Sequence, residues 1–205
     1  RTQFAAGTTD FGGTDSPYSS GAPSNFTYVP LVAGAIVIAY NVPGVRELRL
    51  TPKVISDIFT GKIKTWDAAA IKQLNPSAKL PKQNIQVVYR SDSSGTVQNF
   101  ANYMIQTVGG KWTDNGTWAT ALGQSPVGVS AAQNQGVVSR LSQTKFSIAI
   151  ADPADIKKAK LPVVSVRNAN GEFVRPTAGT ASRFIAAQKV EANGLIKFNY
   201  KAKVR

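Results

Sequence analysis

Apolar and polar positions in the middle of the chain change from a strand-like to a helix-like pattern. Residues 84–89 place apolar side chains at alternate positions, as a half-buried strand does. From Val97 to Val108 the apolar positions recur every three or four residues, and Gly109-Gly110 then supplies a helix stop. The chain is therefore predicted to form a strand, a short connection and an amphipathic helix.

Similar patterns predict elements on both sides of this unit. They are a helix opening at 14–17, extended structure over 26–41, helices at 51–61, 66–75, 136–141 and 180–188, an irregular stretch at 112–130, strands at 146–151 and 161–166, and a hairpin turn at 168–171. Strands that alternate with helices are typical of an α/β fold. The apolar run 29–42 is too short for a membrane span, so we expect it to form one or two buried strands.

The connection at 90–96, with the sequence R-S-D-S-S-G-T, concentrates groups that bind anions. It lies at the amino end of a predicted helix, where unpaired backbone N–H groups and the helix dipole favour negative charge. Ser94 and Thr96 add hydroxyl donors, and Gly95 permits close backbone approach. Arg90 offers a planar fork that matches two oxygens of a tetrahedral anion, and Asp92 is placed to orient it. This pattern predicts a pocket for an oxyanion.

A simpler interpretation of the same residues remains open at this point. Ser93 or Ser94 can cap the helix without binding any ligand, because serine is a common residue at helix starts. Arg90 and Asp92 can form an exposed ion pair that contributes little to stability. The motif alone does not decide between these two interpretations.

The composition excludes several classes of function. The 205 residues are 42% hydrophobic and 17% charged, enough for a core in one domain or two small lobes. Cysteine and histidine are both absent, which removes disulfides, thiolate metal sites and Ser-His-Asp catalysis. Ser94 has no general base in the motif and is not expected to act as a nucleophile on phosphate esters. We predict no catalytic residue, metal site or cofactor.

The net charge of +13 raises the question of a nucleic-acid partner. The basic residues are scattered along the chain, however, and aromatic residues are not interleaved with them in a stacking motif. We therefore expect a solvated basic surface and no nucleic-acid partner. Such a surface attracts small anions and is compatible with peripheral association with an anionic cell envelope.

Several segments, taken in order, resemble the phosphate-binding protein of the bacterial ABC-type phosphate importer. They are T-D-F-G-G-T-D-S-P at 9–17, D-I-F-T-G-K-I-K-T-W-D at 57–67, the L-N-P to L-P stretch at 74–81, and the 90–96 connection with Asn99-Phe100. The resemblance implies a two-lobed α/β fold of the class II periplasmic-binding-protein type that closes on its ligand. In this interpretation residues 1–31 and 150–205 form a partial first lobe and residues 32–149 form the second lobe.

The resemblance also implies which residues bind phosphate. The family's Arg-x-Asp-x-Ser-Gly-Thr pattern and its phosphate-reading aspartate fall on Arg90, Asp92, Ser94, Gly95, Thr96 and Asp15. Phosphate near neutral pH still carries a proton that an ionised Asp15 can accept. Fully ionised sulfate offers no proton, so a carboxylate facing it would be an unpaired like charge. Asp15 can also serve as a helix cap beside Pro17, and the two roles can coexist.

The implied function is extracytoplasmic binding of inorganic phosphate and its delivery to the permease of an ABC importer. The expected location is periplasmic or extracellular, in association with the cell surface. The sequence departs from the family before Asp10, where the family's first strand and Gly-rich loop are not recognisable, so we expect an incomplete first lobe. The alternative is a cell-surface interaction or structural module that keeps the fold without transport.

Overall fold

The computed structural model describes residues 1–18 and 20–204. Its helices are α1 (Thr2–Ala5), α2 (Pro52–Phe59), α3 (Ala69–Lys72), α4 (Gly95–Thr107), α5 (Trp118–Leu122), α6 (Gln133–Gln143), α7 (Pro153–Lys158) and α8 (Ala178–Ala186). Its strands are β1 (Val37–Asn41), β2 (Arg49–Leu50), β3 (Gln86–Arg90), β4 (Val129–Ala131), β5 (Ser147–Ala151), β6 (Ser165–Arg167), β7 (Phe173–Val174), β8 (Lys189–Val190) and β9 (Ile196–Lys197).

A four-stranded sheet with the order β1-β5-β3-β4 lies at the centre of the fold. Strand β3 runs parallel to both of its neighbours, β4 and β5, whereas β1 is antiparallel to β5. Strands β2, β6 and β7 form a second sheet, and β8 pairs with β9. Because β3 and β4 run side by side, the loops that follow them lie at the same edge of the sheet.

Both faces of the four-stranded sheet are covered by helices. Alternate side chains of a strand point to opposite faces, so Ile38 and Ile150 pack with α2, α4 and α5. Ala39 and Ala149 pack on the other face, with α6 and α7. Strand β5 is buried along its whole length, which explains its nearly continuous apolar sequence.

Aromatic side chains fix α4 on its buried side. The ring of Phe100 meets Phe59 edge to face at 5.3 Å and Trp112 at 5.6 Å, and it stacks on Trp118 at 6.0 Å. Each such pair adds about 0.5–1.5 kcal/mol to the gain from burying its surface. These contacts hold the helix, and with it the 90–96 connection, in one position.

Most predicted elements are confirmed. The predicted strand at 84–89 is β3, the amphipathic helix that follows it is α4, and the predicted helices at 136–141 and 180–188 are α6 and α8. Helix α2 starts where Thr51 Oγ1 accepts the Val54 N–H at 3.3 Å, with Pro52 in the first turn. The hairpin at 168–171 joins β6 to β7.

Three predictions are wrong. Thr14 to Pro17 do not begin a helix, because the Thr14 hydroxyl bonds with the backbone of Ser16 in a local bend. Extended structure over 26–41 reduces to β1, and Val29, Leu31 and Val32 are 72%, 86% and 95% exposed. Strand propensity does not produce a strand where no ladder partner is available. The stretch 112–130 is not wholly irregular, since it contains α5 and the start of β4.

Within the described residues, no helix combines the length and the hydropathy needed to cross a membrane. The lobe boundaries proposed from the sequence, 1–31 with 150–205 and 32–149, stay a prediction.

Candidate functional site

The amino end of α4 is the centre of the candidate site. Ser94 is extended, with φ −148°, and its Oγ accepts the Thr96 N–H at 3.1 Å. The interpretation of Ser94 as a helix cap is therefore right. This bond uses a lone pair of the hydroxyl and leaves the Ser94 O–H free to donate to a ligand. Capping and anion binding are compatible roles for this side chain.

Asp15 reaches the same helix start from far away in the sequence. Asn99 Nδ2 donates to the carbonyl oxygens of both Asp15 and Gly95, at 2.9 Å each, and so links α4 to a residue 84 positions before Asn99 in the chain. A Cβ atom added to Gly95 would lie 2.1 Å from Asp15 Oδ1 and 2.4 Å from Oδ2. The carboxylate thus lies directly against the Gly95 backbone. Only a residue without a side chain permits this approach.

The predicted pair between Arg90 and Asp92 is present at the end of β3. Arg90 Nε donates to Asp92 Oδ1 at 2.9 Å, and Nη2 donates to Oδ2 in the same bidentate contact. The hydrogen bonds from Arg90 hold the pKa of the Asp92 carboxyl well below its usual range, against the opposing effect of partial burial. Arg90 is buried while the Asp92 side chain is 40% exposed, so the pair is half-buried and is not the fully exposed ion pair of the simpler interpretation.

Only three of the six predicted site residues line a polar cleft at the surface. A polar cleft of about 460 Å³ is lined by Arg1, Thr14, Asp15, Ser16, Ser93, Ser94, Gly95, Gln98, Asp114, Asn115, Gly116 and Thr117. The structure thus brings Asp15, Ser94 and Gly95 to one surface. Arg90, Asp92 and Thr96 do not line this cleft, although each is close in sequence to residues that do.

The loop at 114–117 is a part of the site that sequence reasoning missed. The Gly116 carbonyl accepts the Ser94 N–H at 3.0 Å, and a Cβ on Gly116 would lie 2.8 Å from Ser93 Oγ. Asp114 Oδ1 accepts hydrogen bonds from Gln98 at 2.8 Å and Asn102 at 3.0 Å, which ties the loop to α4. No periodicity marks these contacts, because they join a loop to a helix through single hydrogen bonds between separate segments of the chain.

The chain belongs to the PBP superfamily, whose domain matches residues 1–202. It is 37% identical over 205 residues to the phosphate-binding protein PstS of Methanocaldococcus jannaschii, covering 91% of this chain and 51% of that protein. It is 37% identical over 180 residues to PstS of Xylella fastidiosa, covering 86% of this chain and 49% of that protein. The chain therefore spans about half the length of these curated relatives.

Solved structures with the same fold include a high affinity periplasmic phosphate-binding protein (PfluDING) bound with phosphate. It superposes with a TM-score of 0.65 at 26% identity, covering 78% of this chain and 45% of that one. The ancestral soluble variant of the Human Phosphate Binding Protein gives a TM-score of 0.63 at 26% identity, covering 78% and 46%. The α/β fold of the periplasmic-binding-protein type predicted from the sequence is confirmed. All four of these relatives and neighbours are named as phosphate-binding proteins.

Proposed function

We propose that this chain binds inorganic phosphate at the amino end of α4. The observation that carries the proposal is the contact between the Asp15 carboxylate and the Gly95 backbone. An acceptor set directly against a cluster of donors suits an anion that still carries a proton. The residues we assign to the site are Asp15, Arg90, Asp92, Ser94, Gly95 and Thr96.

Each of these residues has a distinct role in the proposed site. The backbone at Gly95 and Thr96 and the Ser94 hydroxyl supply donors and a favourable helix dipole. Arg90, oriented by Asp92, supplies positive charge and further N–H donors. Asp15 accepts the proton that phosphate retains and sulfate lacks. Binding by this set needs no bond-breaking step, and we infer that the chain acts as a binding protein without catalysis.

The relatives support a role in transport. Curated relatives are named phosphate-binding protein PstS, and a structural neighbour is described as periplasmic and bound with phosphate. We therefore extend the proposal to capture of phosphate outside the cytoplasmic membrane and delivery to the permease of an ABC importer. The chain spans about half the length of those relatives, so their transport role enters here only as part of the proposal.

Isothermal titration with phosphate and with sulfate tests the proposal. Arg90→Ala should weaken phosphate binding strongly, while Asp15→Asn should reduce the preference for phosphate over sulfate. Asp10→Asn, which removes the same charge from the same exposed segment, and Arg140→Ala on the exposed side of α6 serve as matched controls. Absence of phosphate binding by the unaltered chain would refute the proposal.

The net charge of +13 favours one alternative, a cell-surface module that binds anionic envelope polymers through its basic surface. Such binding would survive Arg90→Ala and disappear as salt is added, because exposed charges are screened within about 8 Å at physiological ionic strength. Phosphate binding by groups that are partly shielded from solvent would depend much less on salt.

A further inference from the structure

The amino end of α6 contacts both members of the half-buried pair of Arg90 and Asp92. Arg90 Nη1 donates to Asn134 Oδ1 at 2.7 Å, and the Gln133 N–H donates to Asp92 Oδ1 at 2.8 Å. The sheet brings these groups together, since Arg90 of β3 is paired with Ala131 of β4, just before α6. Both members of the pair are therefore held by one helix start.

The backbone at this helix start is unusual. Gln133 has φ +58°, in the left-handed region that residues with a side chain seldom adopt. Its N–H is the group that bonds to Asp92. A disfavoured conformation persists where surrounding contacts determine it, and here those contacts are with the residues that we assign to the anion site.

Counting hydrogen-bond donors shows what these contacts leave for a ligand. A guanidinium has five N–H groups, and three of them are engaged, two with Asp92 and one with Asn134. One N–H remains on each terminal nitrogen of Arg90. Asp92 holds one edge of the plane, while Asn134 holds the terminal nitrogen that Asp92 does not touch. With both contacts in place, the direction of the remaining N–H groups is determined.

We propose that Asn134 is a positioning residue of the phosphate site, acting through Arg90. The inference rests on the proposed function. Asn134 does not need to touch the ligand, because its contribution is to keep the guanidinium from turning about the edge that it shares with Asp92. Loss of the Asn134 oxygen would leave the positive charge in place but allow the two remaining donors to point in several directions.

The test is a double-mutant cycle for phosphate affinity, measured by isothermal titration. Asn134→Leu removes the acceptor at similar size and should raise the phosphate Kd about 10-fold, the loss expected for a misdirected charge-assisted donor. In an Arg90→Lys background, where the planar fork is already absent, the same change should have no further effect. Gln135→Leu, on the exposed side of the same helix turn, is the matched control and should bind like the unaltered chain.

The outcomes separate the two proposals. Failure of the unaltered chain to bind phosphate overturns both, whereas normal binding by Asn134→Leu in a chain that binds phosphate overturns only the role of Asn134. Equal weakening with and without Arg90 also overturns it, since the effect would then not pass through the guanidinium. Should the leucine variant fail to fold, Asn134→Ala takes its place in the same cycle, because it removes the acceptor without adding bulk.

Discussion

Replacing Gly95 with alanine separates anion binding at the start of α4 from the stability of the helix. A Cβ at this position would lie 2.1 Å from Asp15 Oδ1, whereas such contacts are not found below 3.0 Å. The Asp15 carboxylate must therefore move by about 1 Å or rotate away from the helix start. The substitution changes no charge and removes no donor, so its effect reports on the close approach that Gly95 allows to Asp15 and to the anion.

Gly95→Ala should affect the stability of the chain and its affinity for phosphate in opposite directions. Alanine is a better helix residue than glycine by up to about 1 kcal/mol, so the free energy of unfolding should stay unchanged or rise slightly. Displacing Asp15, the acceptor that we assign to the phosphate proton, should cost about 1.5–3 kcal/mol of phosphate binding, which corresponds to roughly a 10–150-fold higher Kd. The preference for phosphate over sulfate should fall as well.

Isothermal titration with both anions and urea unfolding measure these two quantities on the same sample. Gly179→Ala is the matched control, because Gly179 lies in the first turn of α8 and a Cβ there meets its nearest neighbour only at 4.0 Å. The control should leave phosphate binding unchanged. A folded Gly95→Ala variant that binds phosphate within twofold of the unaltered chain would refute the placement of Asp15 as the acceptor.

Two further predictions concern the surroundings of α4. Gly116→Ala places a Cβ 2.8 Å from Ser93 Oγ and 3.0 Å from the Ser94 carbonyl oxygen. It should therefore weaken phosphate binding at least several-fold in titrations. Unchanged affinity would show that the 114–117 loop does not position Ser94. Burial raises the pKa of Tyr200 to about 12 and raises that of Tyr103, so the stability they contribute should be present below about pH 10 and lost as pH rises toward 12. A urea midpoint that stays constant over that range would contradict this.

Local patterns were sufficient for the elements that carry the site. The alternation before Arg90 predicts β3, and the helical spacing after Gly95 predicts α4, because both periodicities come from neighbours a few residues apart. The dipeptide Thr51-Pro52 likewise marks the start of α2 through contacts within one turn. The pair of Arg90 and Asp92 was predictable for the same reason, since the two residues are separated by a single position.

Local patterns failed where the outcome depends on distant partners. Residues 26–36 have strand-like composition but form no strand, and residues 29–34 lie exposed, because strand formation requires a neighbouring strand that the local sequence does not specify. The Thr14 to Pro17 segment contains cap and proline signals, yet it forms a bend that sets Asp15 against α4. In this bend the Asp15 carbonyl oxygen accepts a hydrogen bond from Asn99, which lies 84 positions further along the chain.

The sequence by itself determined the strand, the helix and the chemistry of the connection between them, since these depend on residue type and short-range spacing. The tertiary structure alone decided that Asp15 lies against Gly95, that the Gly116 loop accepts the Ser94 N–H, and that Asn134 holds Arg90. These contacts join residues that no periodicity relates. They arise because sheet order and helix packing bring separate segments to one edge of the sheet, and a single sequence contains no direct record of that juxtaposition.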